Sequence, residues 1–261
     1  MTIELRFWGV RGSIPTPVAE NLGYGGNTAC ISIRYADQPL LIFDAGTGIR
    51  ALGDTLSATE PVHLFLSHFH WDHIQGIPSF APIQNATIHS SAEPADLERI
   101  LAAQMRPPYY PLPMPANLEY RRMVVESTRI GDLVVRPFAL HHPNGATGYR
   151  IESPDRTVVY ATDHEQGDVR CDGILRSFAT LADVLIYDAQ YTPEEYEQRR
   201  GWGHSTWKEA VKLAQETRVR QLILFHHDPL RTDRELDAIV RQAQQEFPNT
   251  IAAREGWSTR L

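Results

Sequence analysis

The sequence predicts a mixed α/β fold in which two facing β-sheets are covered by helices. Apolar, turn-bounded runs of strand length cluster in each half of the chain, and helical patterns lie between them. No repeat or low-complexity linker divides the 261 residues, and 42% of them are apolar. That is enough for a sizeable core, so we expect one domain over residues 1–261.

Strand patterns occupy Ile3–Trp8, Ala29–Tyr35, Pro39–Phe43 and Val62–Leu66, and Gly46-Thr47-Gly48 opens a short helical stretch to about Leu56. They return at Ala86–His89, Leu133–Phe138, Gly148–Glu152 and Thr157–Tyr160. A helix over Val169–Thr180 precedes a buried strand at Val184–Tyr187. The tail then alternates helix Thr206–Glu216, strand Gln221–Phe225, helix Thr232–Phe247 and a short strand near Ile251. One region is irregular. Between Met105 and Leu118, Pro107, Pro108, Pro111, Pro113 and Pro115 surround Tyr109 and Tyr110. Proline at this density blocks helix and sheet pairing while stiffening the chain. Two readings fit it: a rigid connector, or a lid-like insertion at about 105–118 that carries Tyr109 and Tyr110 toward a substrate.

Composition narrows the partners. The net charge of −7 argues against extended nucleic acid, which recruits basic surfaces. A small anionic substrate is still compatible, because bound metal cations outweigh a modestly acidic surface locally. No run of about 18 apolar residues is present to span a bilayer, and the first residues do not read as a signal peptide. Cys30 and Cys171 are far apart and match no ligand spacing, so both are expected to be buried free thiols. Together these features favour a cytoplasmic protein.

The segment Ser67-His68-Phe69-His70-Trp71-Asp72-His73 carries the chemistry. Neutral imidazole and carboxylate are the standard ligands of zinc, and manganese suits the oxygen-containing sites as well. A tight turn after the strand Val62–Leu66 aims His68 and His70 at one ion, and Asp72 and His73 at a second. A close metal pair suits phosphoester hydrolysis by water. The plain alternative is a polar run ahead of a helix. Later strand ends supply further donors: His141-His142 after Leu140, Asp163 after Thr157–Tyr160, and His226-His227-Asp228 after Phe225. Between neighbouring histidines, strand register must choose.

On these residues the chain resembles the metallo-β-lactamase superfamily, and within it the ribonuclease Z-like phosphodiesterases, over nearly its full length. The resemblance rests on the His-x-His-x-Asp-His segment and on His142 six residues before Gly148-Tyr149-Arg150. It rests also on Asp163 and His226 after their strands, and on Gly203-His204-Ser205-Thr206 ahead of a helix. It implies an αββα sandwich of two mixed sheets. It also implies two divalent ions, one on His68, His70, His142 and Asp163, the other on Asp72, His73, Asp163 and His226, with Asp163 as the bridge. Asp72 and His204 would be the catalytic residues, His204 reaching the scissile phosphate while Ser205 or Thr206 caps the helix.

The segments Phe7-Trp8-Gly9-Val10-Arg11-Gly12-Ser13-Ile14-Pro15 and Tyr24-Gly25-Gly26-Asn27-Thr28 look like the opening of bacterial cyclic-phosphate or cyclic-nucleotide phosphodiesterases. Asn27 there either ties loops together or faces the metals as a substrate contact. Asp44 reads as a carboxylate that orients a metal-bound histidine through its other ring nitrogen. The expected activity is hydrolysis of a small cyclic phosphodiester, such as a cyclic nucleotide, by a homodimer. The alternatives are a phosphoribosyl 1,2-cyclic phosphate phosphodiesterase, a ribonuclease Z-type tRNA endonuclease and a cyclic-nucleotide-binding sponge without turnover.

Overall fold

The computed structural model describes residues 2–116 and 118–261; Asn117, inside the proline-rich stretch, lies outside the described residues. Strands β1 (Ile3–Gly9), β2 (Cys30–Tyr35), β3 (Leu40–Phe43), β4 (Val62–Phe65), β5 (Ala86–Ser90) and β6 (Glu119–Arg122) lie side by side in chain order. A second sheet repeats this plan with β7 (Thr128–Ile130), β8 (Leu133–Leu140), β9 (Ala146–Glu152), β10 (Thr157–Ala161), β11 (Val184–Asp188), β12 (Gln221–Phe225) and β13 (Thr250–Ala252). The last strand, β14 (Ser258–Arg260), returns to the free edge of β1, so each sheet has seven strands. From β3 to β6, and again from β10 to β13, neighbours run parallel. Their carboxyl ends therefore open on a common side of each sheet, where clefts form.

Strand alternation builds the layers. Leu5, Phe7, Ile33, Phe43 and Phe65 of the first sheet pack against Val135, Tyr149, Tyr160, Ile186 and Phe225 of the second. The opposite faces carry Ile42, Leu64 and Ile88 on one sheet, and Val159, Leu185 and Leu222 on the other. Helices α1 (Ile49–Gly53) and α3 (Pro94–Gln104) cover the first set; α4 (Val169–Ala179), α6 (Trp207–Thr217) and α7 (Asp233–Glu246) cover the second. Two short helices, α2 (Trp71–Ile74) and α5 (Pro193–Tyr196), sit in loops beyond strand ends. Buried on both faces, the central strands read as continuous apolar runs. No helix of the described residues is long and apolar enough to cross a membrane.

Caps fix the helix starts. Thr206, not Ser205, caps α6 by accepting from the Glu209 amide, and Thr232 with Glu235 forms a capping box on α7. Asp168 caps α4 through the Cys171 amide. That first-turn position corrects one expectation: Cys30 is buried, but Cys171 is only half-buried.

The proline-rich stretch is pinned against the outer layer of the first sheet. Tyr110 donates its hydroxyl to the Pro78 carbonyl at 2.7 Å and packs on the apolar cluster under α3, while Tyr109 stands in solvent. Tyr110 is thus an anchor, and its hydroxyl is committed to the scaffold.

A histidine pair, His89 buried and His63 half-buried, makes the fold acid-sensitive away from any strand-end cluster. His89 stacks on Phe65 with centroids 4.3 Å apart and shares a 3.0 Å hydrogen bond with His63. Burial, then His63 and Arg121, push its pKa down to about 3. An unfolded histidine titrates near 6.5, so the unfolded chain binds more protons between these values. Stability is therefore complete above about pH 6.5 and falls as pH drops toward 3, by at most ~1.4 kcal/mol per pH unit from this group. His89→Phe, which keeps the stacking, is expected to flatten that part of a denaturant-midpoint profile. An unchanged profile would remove His89 from the account.

Candidate metal centre

Five strand ends deliver the centre. Asp44 follows β3, Ser67 and His68 follow β4, His142 follows β8, Asp163 follows β10 and His226 follows β12. Asp44, Asp163 and His226 have φ of 60°, 56° and 59°, a left-handed conformation that non-glycine residues seldom adopt. Each turns the chain sharply as it leaves its strand, and such strain collects at working sites.

Two donor sets result. In the first, His142 Nε2 lies 3.1 Å from His70 Nδ1 and 3.7 Å from Asp163 Oδ1, and His68 Nε2 lies 3.8 Å from the same oxygen. In the second, His73 Nε2 stands 3.3 Å from Asp72 Oδ2, 3.2 Å from Asp163 Oδ2 and 3.3 Å from His226 Nε2. His226 Nε2 is 3.2 Å from Asp72 Oδ2 and 3.3 Å from Asp163 Oδ2. Four donors placed tetrahedrally around one zinc ion would stand roughly 3.3 Å apart. The five distances above for the second set, 3.2–3.3 Å, match that spacing, and Asp163 gives one oxygen to each set.

The outer nitrogens decide how the rings face. His73 Nδ1 donates to Asp44 at 2.8 Å, His142 Nδ1 to the Gly203 carbonyl at 2.7 Å and His226 Nδ1 to Gln190 Oε1 at 2.9 Å. His68 Nδ1 donates to Ser67 Oγ at 3.0 Å, and Ser67 passes its own proton to Asp44 at 2.9 Å. With those protons placed outside, each Nε2 lone pair points inward, the tautomer a metal needs. His68 Nε2 is buried with no hydrogen-bond partner among the described residues. An orphaned acceptor facing other donors fits a metal ion better than it fits a packed core.

Charge agrees with this assignment. Burial opposes ionisation of Asp72, yet His73 and His226 hold its carboxyl well below the usual range. Asp163 is held down in the same way, chiefly by His226, His73 and His68 against its burial. Conversely, Asp163 and Asp72 lift His73 well above an ordinary histidine despite burial, and Asp163 with Asp72 lifts His226 to about 9. His68 goes the other way: burial and the neighbouring rings push it well down. The centre is a sink for positive charge, which protons and metal ions compete to supply.

The groups that could hold a metal comprise His68, His70, Asp72, His73, His142, Asp163 and His226, together with His204 and Asp188. Register turns one histidine of each adjacent pair away from the cluster. His141 turns outward to the Glu165 carbonyl at 3.0 Å, and His227 points to the Ala253 carbonyl at 2.9 Å. Asp44 accepts from His73, Ser67 and Tyr160, the last at 2.8 Å. His204 is buried, its Nδ1 bonded to Asp188 at 2.8 Å and 3.8 Å from Asp163. Asn27, by contrast, is not brought to the cluster: its side-chain amide donates to Glu255 at 3.0 Å, and its backbone amide binds the same carboxylate. Among the described residues, neither Tyr109 nor Tyr110 hydrogen-bonds to the cluster.

Sequence reasoning passed over several participants. Asp188 ends β11 and accepts from His204 and the Ser205 amide, and it carries the same signal as its neighbours, an acidic residue at the end of a buried strand. Gln190 steadies His226, and the Ser13 amide donates to Asp72 at 2.7 Å. Backbone donors leave no trace in a sequence pattern.

Comparisons with known proteins agree with this geometry. A family profile described as the beta-lactamase superfamily domain matches residues 40–227. The ribonuclease Z of Thermoplasma acidophilum is 24% identical over 97% of this chain and 94% of its own length. Among solved structures, the metallo-beta-lactamase fold protein YhfI from Bacillus subtilis superposes with a TM-score of 0.76 at 19% identity, covering 100% of this chain and 99% of that one. A diphosphatase from the PhnP family gives 0.74 at 19% identity, covering 100% and 98%. Profile, relatives and architecture coincide: the chain belongs to the metallo-β-lactamase superfamily, in its ribonuclease Z-like branch.

Proposed function

We propose that this chain is a dinuclear metal-dependent phosphodiesterase that hydrolyses a small cyclic phosphodiester, with a 3′,5′-cyclic nucleotide as the leading substrate. The observation that carries the reading is the division of Asp163, whose two oxygens serve two donor sets. His68, His70 and His142 complete one set, and Asp72, His73 and His226 the other. When bound, two divalent ions (zinc by this donor set, with manganese as the alternative) acidify water and neutralise phosphate charge. His204, oriented by Asp188 through Nδ1, leaves Nε2 free, and in its imidazolium form would hand the Nε2 proton to the departing oxygen. Asp44 orients His73, and the Ser13 amide fixes Asp72.

Size and charge support a small substrate. The chain carries a net charge of −7, and the stretch 105–118 offers Arg106 as its one cation. Its alignment with the Thermoplasma ribonuclease Z runs over 308 positions, so that relative has stretches with no counterpart among these 261 residues. A homodimer in the cytoplasm belongs to the same reading. The ribonuclease reading is the second, favoured by the name of that relative.

One assay separates them. Metal-loaded protein is expected to hydrolyse a member of a panel of 3′,5′-cyclic nucleotides and ribose cyclic phosphates, and to leave precursor tRNA intact. Cleavage of precursor tRNA alone would replace the proposal with the ribonuclease reading. Tight binding of a cyclic nucleotide without turnover would replace it with the sponge.

A further inference from the structure

Two tryptophans stand in solvent beside the His70–His142 end of the centre: Trp71 is 65% and Trp202 61% exposed. Each is one residue from a group that touches this pair. Trp71 follows His70 directly, and Trp202 precedes Gly203, whose carbonyl accepts from His142. Gly203 approaches so closely that a Cβ there would meet the His142 ring. Adjacent Cα atoms lie about 3.8 Å apart, so both indoles spring from the rim of the centre.

Neither ring is exposed because its backbone is loose. Trp71 is flanked by His70 and by buried Asp72 and His73 in α2. The Trp202 loop is clamped by Glu165, a buried carboxylate that accepts from the Gly201 amide at 2.6 Å, the Gly203 amide at 2.7 Å and the Tyr196 hydroxyl at 3.0 Å. A large aromatic ring held in water forgoes burial that a floppy loop could recover by folding back. Nearby, Ile14 is 57% exposed beside Ser13, whose amide holds Asp72. The cations close in sequence to Trp202 are spoken for, Arg200 by Glu197 at 2.7 Å and Arg199 by Asp228 at 3.6 Å. The rim thus offers flat apolar surface in place of free positive charge, which suits an uncharged planar heterocycle.

We propose that Trp71 and Trp202 form a base-recognition edge, on which the nucleobase of a cyclic nucleotide stacks while its phosphate meets the His/Asp centre. This rests on the phosphodiesterase reading above, and the experiment keeps the two apart. Kinetics of metal-loaded wild type, Trp71→Ala, Trp202→Ala and Trp71→Phe are compared on a 3′,5′-cyclic nucleotide and on a base-free ribose cyclic phosphate. Each alanine variant is expected to raise KM for the nucleotide roughly tenfold, with kcat within about twofold and phenylalanine restoring most of the loss. KM for the base-free compound is expected to stay unchanged.

Equal KM changes on both substrates, or none on either, would overturn the base-recognition edge and leave the phosphodiesterase standing. So would a gel-filtration shift showing that the rings instead join two copies of the chain, with KM unaffected. If wild type turns over neither compound, the phosphodiesterase reading falls. Tryptophan fluorescence titrated with a nucleoside monophosphate then decides the edge: quenching in wild type that is lost in Trp71→Phe and Trp202→Phe supports it, and its absence in wild type refutes it.

Discussion

Asp163→Asn is expected to lower turnover of the wild-type substrate by a factor of about 10³ or more and to lower bound metal from two ions per chain toward none. The reason is the sharing of this side chain. Oδ1 faces His68 and His142, and Oδ2 faces His73 and His226, so one carboxylate neutralises charge in both donor sets. Asparagine keeps the shape but supplies one oxygen and no charge. Asp72→Asn is the control that gives the result its meaning. Of the two donor sets, Asp72 meets His73 and His226 of the second, so its loss is expected to release one ion and retain the other. Elemental analysis after gel filtration, beside a circular dichroism spectrum to verify folding, reads both variants. Two ions retained by Asp163→Asn, or both lost from Asp72→Asn, would refute the shared-carboxylate arrangement.

Where each residue lies was legible to the extent that burial imposes a pattern. The central strands β3, β4, β10, β11 and β12 are largely apolar on both faces and stand out in sequence, as does β2 by its alternation of Ile31, Ile33 and Tyr35 with Ser32 and Arg34. β6 (Glu-Tyr-Arg-Arg) and β14 (Ser-Thr-Arg) do not, because edge strands are kept short and charged. Helix α3 escaped for a different reason: its buried face is little more than Leu97 and Leu101, behind a proline that opens the first turn. The centre followed the same logic. Polar residues stranded just past apolar strands marked the candidate ligands, whereas Glu165 shapes the site through the backbone amides of Gly201 and Gly203, which leave no side-chain signal in the sequence. The glycine-rich opening leaves Asn27 between tying loops together and contacting substrate; Glu255, from near the other end of the chain, binds both its side-chain amide and its backbone amide.

The scaffold carboxylate beneath the centre is expected to matter for folding more than any ligand. Asp44 is fully buried and accepts from the Ser67 amide at 2.7 Å, the Ser67 hydroxyl at 2.9 Å, the Tyr160 hydroxyl at 2.8 Å and His73 Nδ1 at 2.8 Å. Asp44→Ala leaves those donors unpaired in a dry interior, and one of them belongs to a ring drawn toward the protonated state by surrounding carboxylates. Breaking a buried pair of this kind costs about 3–5 kcal/mol, or roughly 10 °C in Tm for a chain of this size. Freed of its anchor, His73 can also rotate away from Asp72, so affinity for the second ion should fall by ~10–100-fold while the first set holds. Calorimetry of ion-free and metal-loaded protein separates the two effects. The loss of Tm should already be present without metal, and adding zinc should recover less stability in Asp44→Ala than in wild type. Equal stabilisation of both proteins by zinc would mean that Asp44 braces the fold without aiming His73.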